Sequence, residues 1–176
     1  MVKLKEKGQT LIEVIVIITI GILVIVALVF ATIAGLRNAQ FAKNQVQATK
    51  LAQEGLEKVR STRDRGDPIT GGFTIDGFGV DSWNDDDLWR QISNTCSPPI
   101  NCYFKFSGIS FQFITAASGI PSSAEDPLGV GKFQRVVILS DDSLTYSTQK
   151  KVTTIVRWTD FSGPHESRLT TILRRL

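Results

Sequence analysis

This sequence has very little of the chemistry that enzymes and metal sites need. Its 176 residues include one histidine, His165, one methionine and two cysteines. A structural zinc site takes four ligands with one pair close together, and Cys96 and Cys102 do not have that spacing. No GxSxG, HExxH or phosphate-loop motif occurs, and no nucleophile stands in a recognised motif around a base. The sequence therefore favours a protein that is not an enzyme and holds no cofactor.

The charge is also too balanced to point to a nucleic acid as the main partner. There are 20 basic and 17 acidic residues, for a formal net charge of +3. Proteins that bind nucleic acid concentrate lysine and arginine in a patch or stripe. No such dense cluster occurs in the body of this chain, so no nucleic-acid partner is predicted.

One segment of the chain is almost wholly apolar. From residue 14 to residue 36 there is no charged side chain, and sixteen of these 23 residues are valine, isoleucine, leucine or phenylalanine. As a helix the segment would be roughly 35 Å long, enough to cross a bilayer core of about 30 Å. Insertion of these side chains is favourable by about 7 kcal/mol in sum, which exceeds the roughly 3 kcal/mol that an acid such as Glu13 costs. The segment is predicted to span a membrane.

Two simpler interpretations of this segment remain open. It could be a secretory signal peptide whose basic end is Lys3, Lys5 and Lys7, although signal cores run about 7–15 apolar residues and this segment is longer. It could also be a plain membrane anchor, with Glu13 near the lipid headgroups.

The stretch GQTLIEV, residues 8–14, resembles the class III leader junction of type IV pilins and pseudopilins. In that family a short basic leader ends in glycine, and the first mature residue is usually phenylalanine, followed by TLIE. The resemblance implies that a prepilin peptidase cleaves between Gly8 and Gln9, that Gln9 is N-methylated, and that Gln9 replaces the usual phenylalanine. The motif match covers only about the first 30 residues.

The resemblance also implies a role for Glu13. Gln9 and Glu13 are four residues apart and share one helix face. In the family, this acid pairs with the terminal amine of a neighbouring subunit as it enters the filament. An ion pair in lipid costs far less than either charge alone, so Glu13 is expected to act in assembly.

Charge alone predicts the membrane orientation weakly. Three lysines precede the span, and Arg37, Lys43 and Lys50 follow it, so the positive-inside rule gives almost no preference for either orientation. The denser charge of the leader and the cysteines beyond the span favour a cytoplasmic N-terminus and an extracytoplasmic C-terminal part. The predicted location is therefore the cytoplasmic membrane, single-pass, followed by an extracytoplasmic filament.

Beyond the span the sequence predicts a continuing helix and then a β domain. Residues 37–65 contain no proline, are rich in helix formers, and are predicted to end as a helix at the RGDP turn. Their loose apolar stripe is formed by Phe41, Val46, Ala48, Ala52, Leu56 and Val59. Alternating patterns predict strands within residues 73–80 and 103–115 and at residues 133–140, 150–160 and 166–176, whereas residues 117–132 look like a loop.

Three further predictions concern particular side chains of the β region. Cys96 and Cys102 are predicted to form a disulfide, as suits an oxidising compartment. Asp81, Asp85 and Asp87 supply oxygen ligands and are a weak calcium candidate, with a solvated acidic loop as the simpler interpretation. The tryptophans that flank this loop, at positions 83 and 89, are expected in the core.

Together these features predict an α+β fold with a long N-terminal helix packed on a C-terminal antiparallel sheet, the ladle shape of pilins. The predicted segments are a leader (1–8), a membrane and filament-core helix (9–36), the outer half of the helix (37–65) and a globular β domain (66–176). The resemblance implies a structural subunit of a type IV pilus or a type II secretion-like pseudopilus. A minor subunit of the PilV or GspI kind is expected.

The partners implied are other pilin subunits, the prepilin peptidase, an inner-membrane assembly platform and membrane lipid. Another class of protein stays open. The chain could be a single-pass, membrane-anchored extracytoplasmic binding module with an uncleaved N-terminus.

Overall fold

The computed structural model describes residues 5–75, 77–89, 96, 99–108, 110–128, 132–141 and 149–175, with side chains from residue 11 onward. The chain divides into two compact units, Met1–Asn44 and Gln45–Leu176. This boundary falls inside the segment 37–65 that the sequence assigns to the outer half of the helix.

Helix α1 runs from Lys5 to Arg65 and contributes to both units. Its end at the RGDP turn is confirmed, and the geometry explains it. Gly66 adopts a left-handed φ of 65°, and its N–H donates to the carbonyl of Arg63, while the N–H of Asp67 donates to the carbonyl of Thr62. These two bonds satisfy carbonyls that the last helical turn leaves open, and glycine adopts this conformation without a steric penalty.

The second unit contains a mostly antiparallel sheet. Seven of the described strands form one sheet in the order β1-β5-β4-β7-β8-β9, with β6 paired to β7, and β2 and β3 form a separate hairpin. Among the strand pairs that the structure describes, only the pairing of β1 with β5 is parallel. The strands are β1 (Ile69–Thr70), β2 (Thr74–Ile75), β3 (Phe78–Gly79), β4 (Asn101–Ser107), β5 (Ser110–Ala117), β6 (Asp126–Leu128), β7 (Phe133–Asp141), β8 (Gln149–Asp160) and β9 (Gly163–Arg174).

The predicted α+β class is therefore confirmed, including the final meander of three strands. One expectation about the segment 117–132 is wrong in part, because it contains a short 3-10 helix at Ser122–Ala124 and strand β6. Pro127 lies in β6, and this proline contributed to the composition that suggested a loop. A proline is tolerated in a short edge strand because a missing N–H there breaks no central ladder bond.

In the second unit, residues of α1 pack on one face of the sheet. Ala48 and Ala52 lie in a cluster with Phe133, Val156 and Trp158. Leu56 and Val59 belong to the largest cluster, which also contains the buried residues Val137, Leu139, Val152 and Leu173 of the sheet. The predicted stripe is wrong at Val46, whose side chain is 68% exposed, and Phe41 of that stripe belongs to the first unit.

The opposite face of the sheet is covered too. The alternation in β8 predicts that residues 152, 154, 156 and 158 share one face and that residues 153, 155 and 157 share the other. Ile155 nevertheless is 1% exposed, because it packs with Val136 and Ile138 of β7, Tyr103 of β4 and Ala124 of the short 3-10 helix. The centre of β8 is therefore buried on both faces.

Candidate assembly and processing site

The most unusual surface in the structure is the apolar part of α1 in the first unit. Every residue from 11 to 36 is exposed, including Leu23 at 64% and Phe30 at 69%. The helix is long and apolar enough to cross a membrane, with a mean hydropathy of 3.4 over its most apolar window. A water-soluble domain rarely leaves an apolar surface of this size uncovered, and a bilayer core could cover a helix of this length.

The hydroxyl groups within this segment are satisfied inside the helix. Thr19 Oγ1 donates to the carbonyl of Ile15 at 2.8 Å, and Thr32 Oγ1 donates to the carbonyl of Val29 at the same distance. Bonds of this kind remove the need for an external acceptor. These threonines therefore place no unsatisfied donor in an apolar environment.

Glu13 is the one acid in this apolar surface. It is exposed and stands between Ile12 and Val14, which are 65% and 53% exposed. Among the residues that the structure describes, Glu13 has no hydrogen-bonding or ion-pairing partner. Gly8 and Gln9 lie within α1, and their side chains fall outside the described set. Helical geometry puts Gln9 and Glu13 about one turn apart on the same face.

The acidic loop uses one of its carboxylates to order its own backbone. Asp85 accepts hydrogen bonds from the backbone N–H groups of Asp87, at 2.9 Å, and of Asp81, at 3.3 Å. Asp86 pairs with Arg175. Within the described part of the chain, no group of three or more histidine, cysteine or acidic side chains could hold a metal ion. Asp85 therefore orders the backbone of this loop, in which Asp81 is exposed and Asp85 and Asp87 are half-buried.

The predicted disulfide between Cys96 and Cys102 is present, with the two Cα atoms 5.1 Å apart. Both cysteines belong to the largest core cluster and are at most 2% exposed. Trp83 and Trp89 lie in the same cluster, and the indole N–H of Trp89 donates to the carbonyl of Trp83. The disulfide thus anchors the start of β4 to the core. The prediction that both tryptophans lie in the core is confirmed.

His165 lies in β9, directly across from Trp158 of β8. Its ring stacks on the Trp158 ring with centroids 5.4 Å apart, and its Nε2 lies 2.9 Å from Asp160 Oδ1. Burial raises the pKa of Asp160, but the Ser162 backbone N–H and the His165 ring outweigh this effect, so the pKa lies below its ordinary value. Trp158 and His165 line a cavity of about 320 Å³ together with Lys132, Gln134 and the ion pair of Arg157 and Glu125.

Two buried cations were not foreseen from the sequence. Arg135 is 2% exposed; its guanidinium lies 3.1 Å from Asp126 and 3.7 Å from Glu54, and over the Phe106 ring. Lys150 is fully buried and pairs with Asp141. Alternation in a strand shows which side chains share a face, but both faces of this sheet are covered, so it does not reveal that a charged residue is buried.

Comparison of the chain with protein-family models, with curated proteins and with solved structures gives no match. Functional inference therefore rests on the residues, the fold and the surface described above.

Proposed function

We propose that this chain is a structural subunit of a type IV pilus or a type II secretion-like pseudopilus. In this proposal the prepilin peptidase cleaves between Gly8 and Gln9, Gln9 is N-methylated, and the mature chain is built into a filament, as a minor subunit. The observation that carries the proposal is the helix surface of residues 11–36, which is exposed on every side, is mostly apolar and includes a single acid, Glu13.

Such a surface suits a subunit that moves between two apolar environments. In the membrane, lipid covers the side chains of residues 11–36. In a filament, the corresponding helices of neighbouring subunits would cover them. Because lipid tails and helix side chains are similarly apolar, extraction from one environment into the other sacrifices little hydrophobic free energy.

Glu13 gives this assembly a specific electrostatic contact. Its carboxylate lies on an apolar surface and has no described partner of its own. Cleavage after Gly8 creates an amine at Gln9. A bond between that amine and Glu13 of an adjacent subunit would pair two charges that are each costly in an apolar environment.

The remaining parts of the proposal concern location and partners. The N-terminus faces the cytoplasm, where the leader is removed, and the β unit is extracytoplasmic, as the Cys96–Cys102 disulfide suits. The partners are the prepilin peptidase, an inner-membrane assembly platform, membrane lipid and other pilin subunits. The aromatic-rich, loop-rich β unit supports a minor rather than a major subunit.

The decisive experiment is the intact mass and N-terminal sequence of the membrane-fraction protein, from cells with and without the prepilin peptidase. We expect a chain that begins at Gln9 and carries one methyl group when the peptidase is present, and a chain with its full leader when it is absent. A chain that begins at Met1 in both strains would overturn the proposal and favour the uncleaved, membrane-anchored binding module. A soluble chain cut after residue 36 would indicate a secretory signal peptide.

A further inference from the structure

A lysine and an aspartate face each other inside the β unit. Lys150 of β8 and Asp141 of β7 are directly opposite in the antiparallel register of the two strands. The Lys150 Nζ atom lies 2.5 Å from the Asp141 Oδ1 atom. Their side chains are 0% and 7% exposed. The two reactive groups are therefore held in contact and kept away from bulk water.

The neighbours of this pair in the sheet are apolar. Lys150 lies across from Leu173 of β9, and the next residues on the same faces of β7 and β8 are Leu139 and Val152. These three residues belong to the largest core cluster and are at most 2% exposed. Burial disfavours the charged ammonium group more than Asp141 favours it, so the pKa of Lys150 lies below its ordinary value.

We propose that Lys150 and Asp141 condense into an intramolecular amide that covalently joins β7 to β8. First, the ammonium group passes one proton to the carboxylate across their hydrogen bond, which leaves a neutral amine beside a carboxylic acid. The Nζ atom then attacks Cγ, an Nζ–Cγ bond forms, and one Cγ–O bond breaks. The leaving oxygen departs as water with the transferred proton and one proton from Nζ, so no oxidant or other reactant is needed.

The buried position favours this outcome for two physical reasons. Two charges that share a dry site are stabilised by each other but lose most of their hydration, and an amide removes both charges at once. The same exclusion of water slows hydrolysis of the amide. The product closes a covalent ring over residues 141–150. This inference concerns the β unit alone and does not depend on whether the chain assembles into filaments.

The test is a tryptic digest of the full-length chain, purified from membranes and analysed by tandem mass spectrometry. Trypsin cuts after Arg135 and, next along the chain, after Lys150 and Lys151. An acylated Lys150 is not cut. We therefore expect a peptide of residues 136–151 that is lighter by the mass of one water and yields no backbone fragments from within the ring of residues 141–150.

Variants at positions 141 and 151 distinguish this amide from other reactions in which the chain loses water. Asp141→Asn should give a linked peptide of identical mass, because the amide side chain loses ammonia instead of water. Asp141→Ala should restore cleavage after Lys150 at the unmodified mass. Lys151→Arg changes the neighbouring exposed cation and should leave the link intact. A succinimide at an aspartate would open in hydroxylamine and would leave Lys150 cleavable, which contradicts the proposal.

The wild-type chain decides the question by itself, so a variant that fails to fold does not leave it open. If the wild-type digest contains only the peptide of residues 136–150, at its unmodified mass, both when fresh and after days of storage, the amide does not form and the proposal is wrong. The pair is then an ordinary buried ion pair.

Discussion

Gly55 of α1 lies so close to Thr154 of β8 that a Cβ atom at position 55 would come within 2.8 Å of the Thr154 Cγ2 atom. The same Cβ atom would be 2.9 Å from Cδ of the buried Arg135. In isolation a glycine weakens a helix. Here the missing side chain is what allows this part of the helix to approach the sheet.

Gly55→Ala should therefore destabilise the β unit although alanine is the better helix former. The substitution gains up to about 1 kcal/mol of helix propensity. Overpacking costs about 1–3 kcal/mol, and two contacts below 3.0 Å favour the upper part of that range, about 2–3 kcal/mol, so we expect a net loss of about 1–2 kcal/mol. The measurement is urea unfolding of the full-length chain in mild detergent, followed by tryptophan fluorescence. Gln53→Ala, at an exposed position of the same helix, is the matched control. A Gly55→Ala variant as stable as the wild type would mean that the contact is looser than described.

The structure buries only part of the apolar stripe that the sequence predicts along α1. Leu56 and Val46 show the difference. Leu56 is 8% exposed in the largest core cluster, whereas Val46 is 68% exposed. Leu56→Ala should cost about 2–5 kcal/mol, because it removes buried methyl groups and leaves a cavity. Val46→Ala should change the free energy of unfolding by less than about 0.5 kcal/mol. Equal losses at the two positions in the same unfolding assay would contradict the described packing.

Asp160 should stabilise the β unit near neutral pH and lose this contribution in acid. The pKa of Asp160 is lower in the folded chain than in the unfolded chain, so its charged form stabilises the fold. That contribution is fully present above the unfolded pKa, about 4, and is lost as the pH falls through the folded pKa. Unfolding curves of the wild type and Asp160→Asn should therefore differ most near neutral pH and converge in acid. A difference that stays constant below pH about 4 would exclude this role.

Glu13→Gln tests the assembly contact without changing the shape of the side chain. Removal of the charge should make insertion of the helix easier, by up to about 3 kcal/mol, so membrane targeting and cleavage after Gly8 should persist. Incorporation into filaments should fall, because the amine of the neighbouring subunit loses its partner. The measurement is the ratio of this subunit in sheared filaments to that in membranes, with the exposed Glu57→Gln of the outer helix as the control. Undiminished incorporation would rule out the proposed pair.

Several parts of the fold could be predicted because they depend on local chemistry. The uninterrupted apolar run of residues 14–36 predicted a long helix that could span a membrane, and these residues lie exposed in α1. Glycine at position 66 and proline at position 68 determine where α1 ends. Alternation with a period of two determines the final three strands, and two closely spaced cysteines predicted the disulfide.

Other features depend on which surfaces meet, and no local pattern contains that information. The burial of Ile155 requires Ala124 and Tyr103, which are distant in sequence, whereas Val46 of the predicted apolar stripe is 68% exposed. The contact of Gly55 with Thr154 and the pairing of Lys150 with Asp141 likewise come from register and close approach. The sequence thus determined the elements and the apolar N-terminal surface. The tertiary structure alone decided which side chains lose water, because burial depends on neighbours that the fold brings together.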